Sequence, residues 1–111
     1  MKAIMPKGPS MNEMLKQAQK MQEDMQAKQA ELEEREYEVS AGGGVVKVKI
    51  NGKREILSMD IAEEIVDPDD IETLSDIIVA AVNEAIKKVN TTTDEEMAKI
   101  TGPLGGMPGM F

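Results

Sequence analysis

Ala41-Gly42-Gly43-Gly44-Val45-Val46-Lys47-Val48-Lys49-Ile50-Asn51-Gly52 is the stretch that decides the fold of this chain. Val46, Val48 and Ile50 alternate with Lys47 and Lys49, a period of two that sends one row of side chains into a core and the other into water. The glycines in front allow the backbone to bend without side-chain clash. Asn51-Gly52 behind is a strong hairpin signal. A strand with a turn at each end needs neighbours on both sides. Upstream, Tyr37 to Ala41 alternates weakly; downstream, Arg54 to Ile61 places Leu57, Met59 and Ile61 on one face. Three short antiparallel strands are predicted.

Helices flank them. Ser10 and Glu13 have capping-box spacing, and from Met11 to Glu36 there is no Gly or Pro. Met11, Met14, Ala18, Met21, Met25 and Leu32 recur at intervals of three, four and seven, a heptad-like stripe interrupted by Lys28 and Arg35. A helix over this span would be about 39 Å long, more than so small a domain can cover, so part of it must project or pair with a second chain. After the strands, Asp67-Pro68-Asp69-Asp70 supplies an N-cap, a proline suited to a first helical turn, and acids that favour the positive end of the helix dipole. The helix that follows is expected to run to about Val89. Its centre, Ile77-Ile78-Val79-Ala80-Ala81-Val82, is apolar all round, which one sheet face cannot bury. Ile77, Ile78, Val79 and Val82 are therefore the expected homodimer contacts. Thr93 with Glu96 repeats the capping-box spacing and predicts a short C-terminal helix ending at Gly102-Pro103. The expectation is an α+β protomer: a flexible N-terminus over 1–9, a single domain over 10–102 and a disordered Gly/Met tail over 103–111.

The composition narrows the chemistry. The 111 residues contain neither Cys nor His, so there is no thiolate nucleophile, no Cys/His metal site and no side chain whose ordinary pKa lies near 7. An enzyme is not expected, nor a cofactor or small-molecule substrate. No run of about 18 apolar residues is present, and Met1 to Pro9 lacks the apolar core of a secretory signal, so a cytoplasmic protein without a membrane partner is expected. The net charge of -8 argues against nucleic acid at first sight, but residues 1–61 carry ten basic and ten acidic side chains while 62–111 carry three and eleven. Screening over about 8 Å at physiological salt lets a local basic patch act independently of distant acids.

Several stretches have two readings. Gly42-Gly43-Gly44 resembles a phosphate loop only superficially, because a strand rather than a helix follows. Glu63, Glu64, Asp67, Asp69, Asp70 and Glu72 match no calcium-loop spacing and read as helix capping and a solvated face. Lys16 and Lys20 stand one helical turn apart, flanked by Gln17 and Gln19, and are either a solvated face or a ligand contact. Lys47, Lys49, Lys53 and Arg54 are a local positive excess that either touches phosphate or guards a strand against edge pairing. With Tyr37 and Phe111 the only aromatics, base stacking on single strands is excluded as a main mode, which leaves duplex.

The order of these motifs, with Val66-Asp67-Pro68-Asp69-Asp70, Ile78-Val79-Ala80-Ala81-Val82-Asn83, Thr101-Gly102-Pro103-Leu104 and a Gly/Met tail, resembles the YbaB/EbfC family of nucleoid-associated proteins. The resemblance spans nearly the whole chain. It implies an α-β-β-β-α protomer, a homodimer joined through sheets and second helices, first helices projecting like tweezers, and double-stranded DNA of the nucleoid as partner. It carries no compact basic signature to transfer. The DNA contacts are therefore assigned on physical grounds, with Lys16, Lys20, Lys28, Lys47, Lys49, Lys53 and Arg54 to phosphates and Gln17 and Gln19 to base edges. The alternative is a protein-binding adaptor whose Met-rich arms grasp a partner helix.

Overall fold

The computed structural model describes residues 10–102; the expected flexible N-terminus and Gly/Met tail lie outside the described residues. The order is α1 (Met11–Glu34), β1 (Glu36–Ala41), β2 (Val46–Asn51), β3 (Ile56–Ile61), a 3-10 turn at Glu63–Ile65 and α2 (Ile71–Ile100). The strands form one antiparallel sheet in the order β1-β2-β3. This is the α-β-β-β-α order expected.

The alternation in β2 is complete. Val46, Val48 and Ile50 are fully buried and Lys47 and Lys49 exposed. On the buried row lie Ala81, Ala85 and Val89 of α2, one turn apart, with Tyr37 of β1 closing the core. α2 covers β1 and β2 and leaves β3 largely uncovered. As a result Ile56, Leu57 and Ile61 on β3, Val66 beyond it, and Ile71 and Val79 on α2 are all exposed large apolar side chains. A register shift opposite Lys49 and Ile50 inserts an extra residue into β3 near Leu57.

The turns work differently from their sequence signals. Gly42, Gly43 and Gly44 all have positive φ, and a Cβ at Gly42 would press on Val45 and Ile77, so the β1–β2 connection depends on glycine. In the β2–β3 hairpin it is Arg54, φ 67°, that takes the left-handed position, while Gly52 does not. Gly52 serves packing instead. A Cβ there would collide with the backbone carbonyl of Leu32 at the end of α1. The Gly52 amide donates to the Arg35 carbonyl at 3.0 Å, and the Asn51 side chain accepts from the Lys53 and Glu55 amides. The hairpin is thus the socket into which α1 is rooted.

Two helix boundaries moved. α2 is capped by Asp70, whose carboxylate accepts from the Thr73 amide and hydroxyl, so Pro68 lies in the preceding turn rather than in the helix. Nor does the helix stop near Val89: it runs unbroken to Ile100, and the expected short C-terminal helix is its last turns. Asn90-Thr91-Thr92-Thr93 has low helix propensity but no Gly or Pro. Tertiary contacts carry the helix through, with Val89 buried, Arg54 donating to Asn90 at 2.7 Å, and Glu96 engaged by Lys28 of α1 and Arg35 just after it.

Candidate nucleic-acid interface

α1 starts on the capping box read from the sequence: Ser10 accepts from the Glu13 amide at 3.2 Å, and Glu13 accepts from the Ser10 amide at 2.9 Å. Every residue from Ser10 to Lys20 is exposed, and burial begins only at Met21. The N-terminal half of this helix, about 36 Å long in all, therefore projects from the body as an arm.

Lys16 and Lys20 lie on the projecting half, and from Met14 to Gln22 they are the only charged residues. Lys16 makes no ion pair among the described residues, and Lys20 is 3.9 Å from Asp24 with 77% of its side chain exposed. Gln17 and Gln19 flank the lysines on opposite sides of the helix, and only Gln17 lines an apolar groove, with Met14, Ala18, Met21 and Met25 of α1 and Met97 of α2. The two glutamines face different surroundings.

Lys28 belongs to another structure. It pairs with Glu31 at 3.3 Å and Glu96 at 3.1 Å, while Arg35 pairs with Glu31 and lies 3.7 Å from Glu96, and Lys99 reaches Glu96 at 2.9 Å. This network joins α1 to the last turns of α2 where the arm leaves the body. The hydrogen bonds donated by Lys99 and Lys28 hold the Glu96 carboxyl down at about 2, and the bonds that Lys28 donates to Glu96 and Glu31 raise its own pKa. A carboxylate depressed in the folded state stabilises fully above its unfolded value of about 4.5, and that contribution is lost as pH falls through about 2. Thermal melts between pH 5 and 2 should therefore show a steeper acid loss in the parent than in Glu96→Gln. Equal slopes would mean that the network does not hold the joint.

On the sheet, Lys47 and Lys49 point away from α2, but the register sets acids and hydroxyls beside them. Lys47 lies between Ser40 and Asp60, Lys49 between Glu38 and Ser58, with Glu36 3.9 Å from Lys49. The basic stretch is interleaved with carboxylates from β1 and β3, which its own sequence neighbours do not reveal. Lys53 and Arg54 sit at the exposed hairpin tip, Arg54 donating to Asn90. The arm and the sheet thus present two separate groups of cations.

Of the expected dimer contacts, Ile77 and Ile78 pack partly against the protomer's own core. Val79 remains 55% exposed and Val82 half-buried. Leu57 and Ile61 on β3 are exposed apolar side chains as well.

Among the described residues no group of acids is placed to hold a metal ion, and no helix is long and apolar enough to cross a membrane. Asp67 and Asp70, two of the clustered acids, accept backbone hydrogen bonds in the turn and cap of α2.

A solved crystal structure of an uncharacterized protein from Helicobacter pylori shares the fold, with TM-score 0.59 and 20% identity over 70% of this chain and 90% of that one. Relatives are much nearer in sequence. A nucleoid-associated protein of Ruminiclostridium cellulolyticum is 53% identical, and one of Caldicellulosiruptor bescii 58% identical, each over 94% of this chain and 90% of its own length. The profile of the YbaB/EbfC DNA-binding family matches residues 7–104. Its members are nucleoid-associated DNA-binding proteins and not enzymes, and with a match across almost its whole length the chain belongs to this family.

Proposed function

We propose that this protein binds duplex DNA in the nucleoid as a homodimer, gripping phosphates with its projecting arms and thereby influencing nucleoid organisation and gene expression. The observation that carries the reading is the arm itself, an exposed half-helix whose only charges between Met14 and Gln22 are Lys16 and Lys20. Two protomers would present this group twice, and a pair of arms suits a duplex better than a single strand. Lys47, Lys49, Lys53 and Arg54 form a secondary surface, weakened by the acids beside the two strand lysines. Lys28, held by Glu31 and Glu96, serves mainly to fix the arm. Gln19 is the better placed of the two glutamines for a base edge.

Phosphate neutralisation releases counterions, so contact with about 4 to 8 phosphates gives a slope of log affinity against log salt of about -4 to -7. Lys16→Ala combined with Lys20→Ala should weaken binding by about tenfold or more on every duplex sequence and flatten that slope. Lys47→Ala with Lys49→Ala should do less. Stability should hardly change in either pair, since exposed charges contribute little. If neither pair alters affinity or slope over a salt series, the phosphate grip is wrong. The second reading, an adaptor whose arms grasp a partner helix, is favoured by the apolar groove along α1 and would show little salt dependence.

A further inference from the structure

Met14, Ala18, Met21 and Met25 form the floor of a groove of about 820 Å³ along α1, with Met97 of α2 beside it and glutamines at its rim. No charged side chain lines it, in a chain of which 31% is charged. Lys16 and Lys20 lie about 170° and 130° around the helix from this stripe. At the tip of the arm Met11, Met14 and Leu15 are exposed. A continuous apolar strip of this kind in water favours a partner.

The stripe fits a second copy of itself run in the opposite direction. A heptad counted from Met11 puts Met11, Ala18 and Met25 at its first core position and Met14 and Met21 at its second, and in an antiparallel pair the two kinds of position pack side by side. With the two-fold axis between Gln19 and Lys20, Met14 meets Met25, Ala18 meets Met21, and both layers repeat by symmetry. The next layer outward sets Met11 against Lys28, which Glu31 and Glu96 already hold, so the apolar contact ends there. At its flanks Gln17 faces Asp24 of the second copy, an amide donor opposite a carboxylate, and Leu15 faces Gln22. No like charges are brought together. Parallel pairing is worse on two counts. It sets Lys28 against Lys28, and it brings the two α2 ends, each fixed beside Lys28 through Glu96, to the same level. The antiparallel arrangement instead lays each exposed tip in the other copy's groove, beside Met97.

We propose that the arm pairs antiparallel with the arm of a second molecule through Met14, Ala18, Met21 and Met25, leaving Lys16 and Lys20 of both copies facing outward. This contact is separate from the apolar side chains of β3 and α2 where the bodies are proposed to meet. It is smaller than a standard interface, so it forms at high local concentration rather than at micromolar dilution. It depends neither on DNA binding nor on the state of the bodies, and its test contains no DNA.

Sedimentation of the full-length protein from about 1 to about 500 µM, the range in which a weak interface associates, gives the first readout. The mass at the lowest concentration reports the state of the bodies, and arm pairing should at least double it at the highest. Ala18→Glu, at an exposed position that glutamate tolerates in a helix, should hold the mass at its lowest value throughout, while Ala30→Glu on the opposite face of α1 should behave as the parent. Circular dichroism checks that both variants stay folded. The second readout is register, since the chain has no cysteine of its own. An equal mixture of Met14→Cys and Met25→Cys proteins should form the mixed disulfide several-fold faster than either protein forms its own, because like positions are about 16 Å apart along the axis. A mass that does not rise overturns the proposal. So does association that survives Ala18→Glu, faster linking of like positions, or mixed linking that does not fall on dilution, which would confine the pairing to one assembly.

Discussion

Val79→Glu is expected to abolish dimerisation. Within a single protomer Val79 is 55% exposed, so a glutamate there should cost little if the protein works alone. In the proposed dimer the second copy covers Val79, Val82 and Ile71 of α2, Val66 and the exposed apolar side chains of β3. A two-fold interface meets every substitution twice. An unpaired carboxylate buried at such a contact costs about 3–5 kcal/mol, so even partial burial of the pair should weaken association by about a thousandfold or more. Sedimentation over a concentration series measures this. Ala80→Glu, one residue on and about 100° around the helix, is the control and should leave the mass unchanged. If Val79→Glu sediments and melts like the parent, the uncovered face of β3 and α2 is not where two copies meet.

The elements that were legible in the sequence are those whose pattern is local. Ser10 and Glu13 announce the start of α1 because a capping box is complete within four residues, and Val46 to Ile50 announces β2 because burial on one face demands strict alternation. The continuity of α2 was hidden because Asn90 to Thr93 has weak local propensity; the contacts that override it come from Arg54, Lys28 and Arg35, between 36 and 68 residues away. Glu96 illustrates the point. Its spacing from Thr93 suggests a cap, yet in the folded protein its carboxylate is taken by three cations.

The candidate site was readable to a similar depth. The projection of α1 followed from its length, and the isolation of Lys16 and Lys20 from acids follows from the sequence between Met14 and Gln22. The dilution of Lys47 and Lys49 did not, because Glu36, Glu38 and Asp60 come beside them only through strand register. Lys28 similarly looks like its neighbours on the arm until α2 brings Glu96 to within 3.1 Å. Charge counted along a chain predicts a surface only where no other element crosses it.

Gly52→Ala should be the most damaging single-methyl change in the protein. The position is buried, and a Cβ would fall on the Leu32 carbonyl and the adjoining backbone of Glu33. These are main-chain atoms, so no rotamer change can clear them. The Leu32 carbonyl is further held by the Arg35 amide at 3.2 Å, and Gly52 itself donates to Arg35, so neither side of the contact can yield alone. Relief requires α1 to lift away from the hairpin, which opens the packing of Leu32 and the Gly52 to Arg35 hydrogen bond together. We expect a loss of about 3–5 kcal/mol, a large part of the stability of a domain this size. Gly102→Ala, where nothing lies within 4 Å, should change the denaturation midpoint very little. Amide exchange gives the second readout: in Gly52→Ala the amides of residues 35 and 52 should exchange faster than those of Val46 and Val48, because the root of the arm opens before the sheet does. Unchanged stability in Gly52→Ala would mean that the end of α1 is not seated on the hairpin, and the arm would then lack the fixed base from which its lysines are aimed.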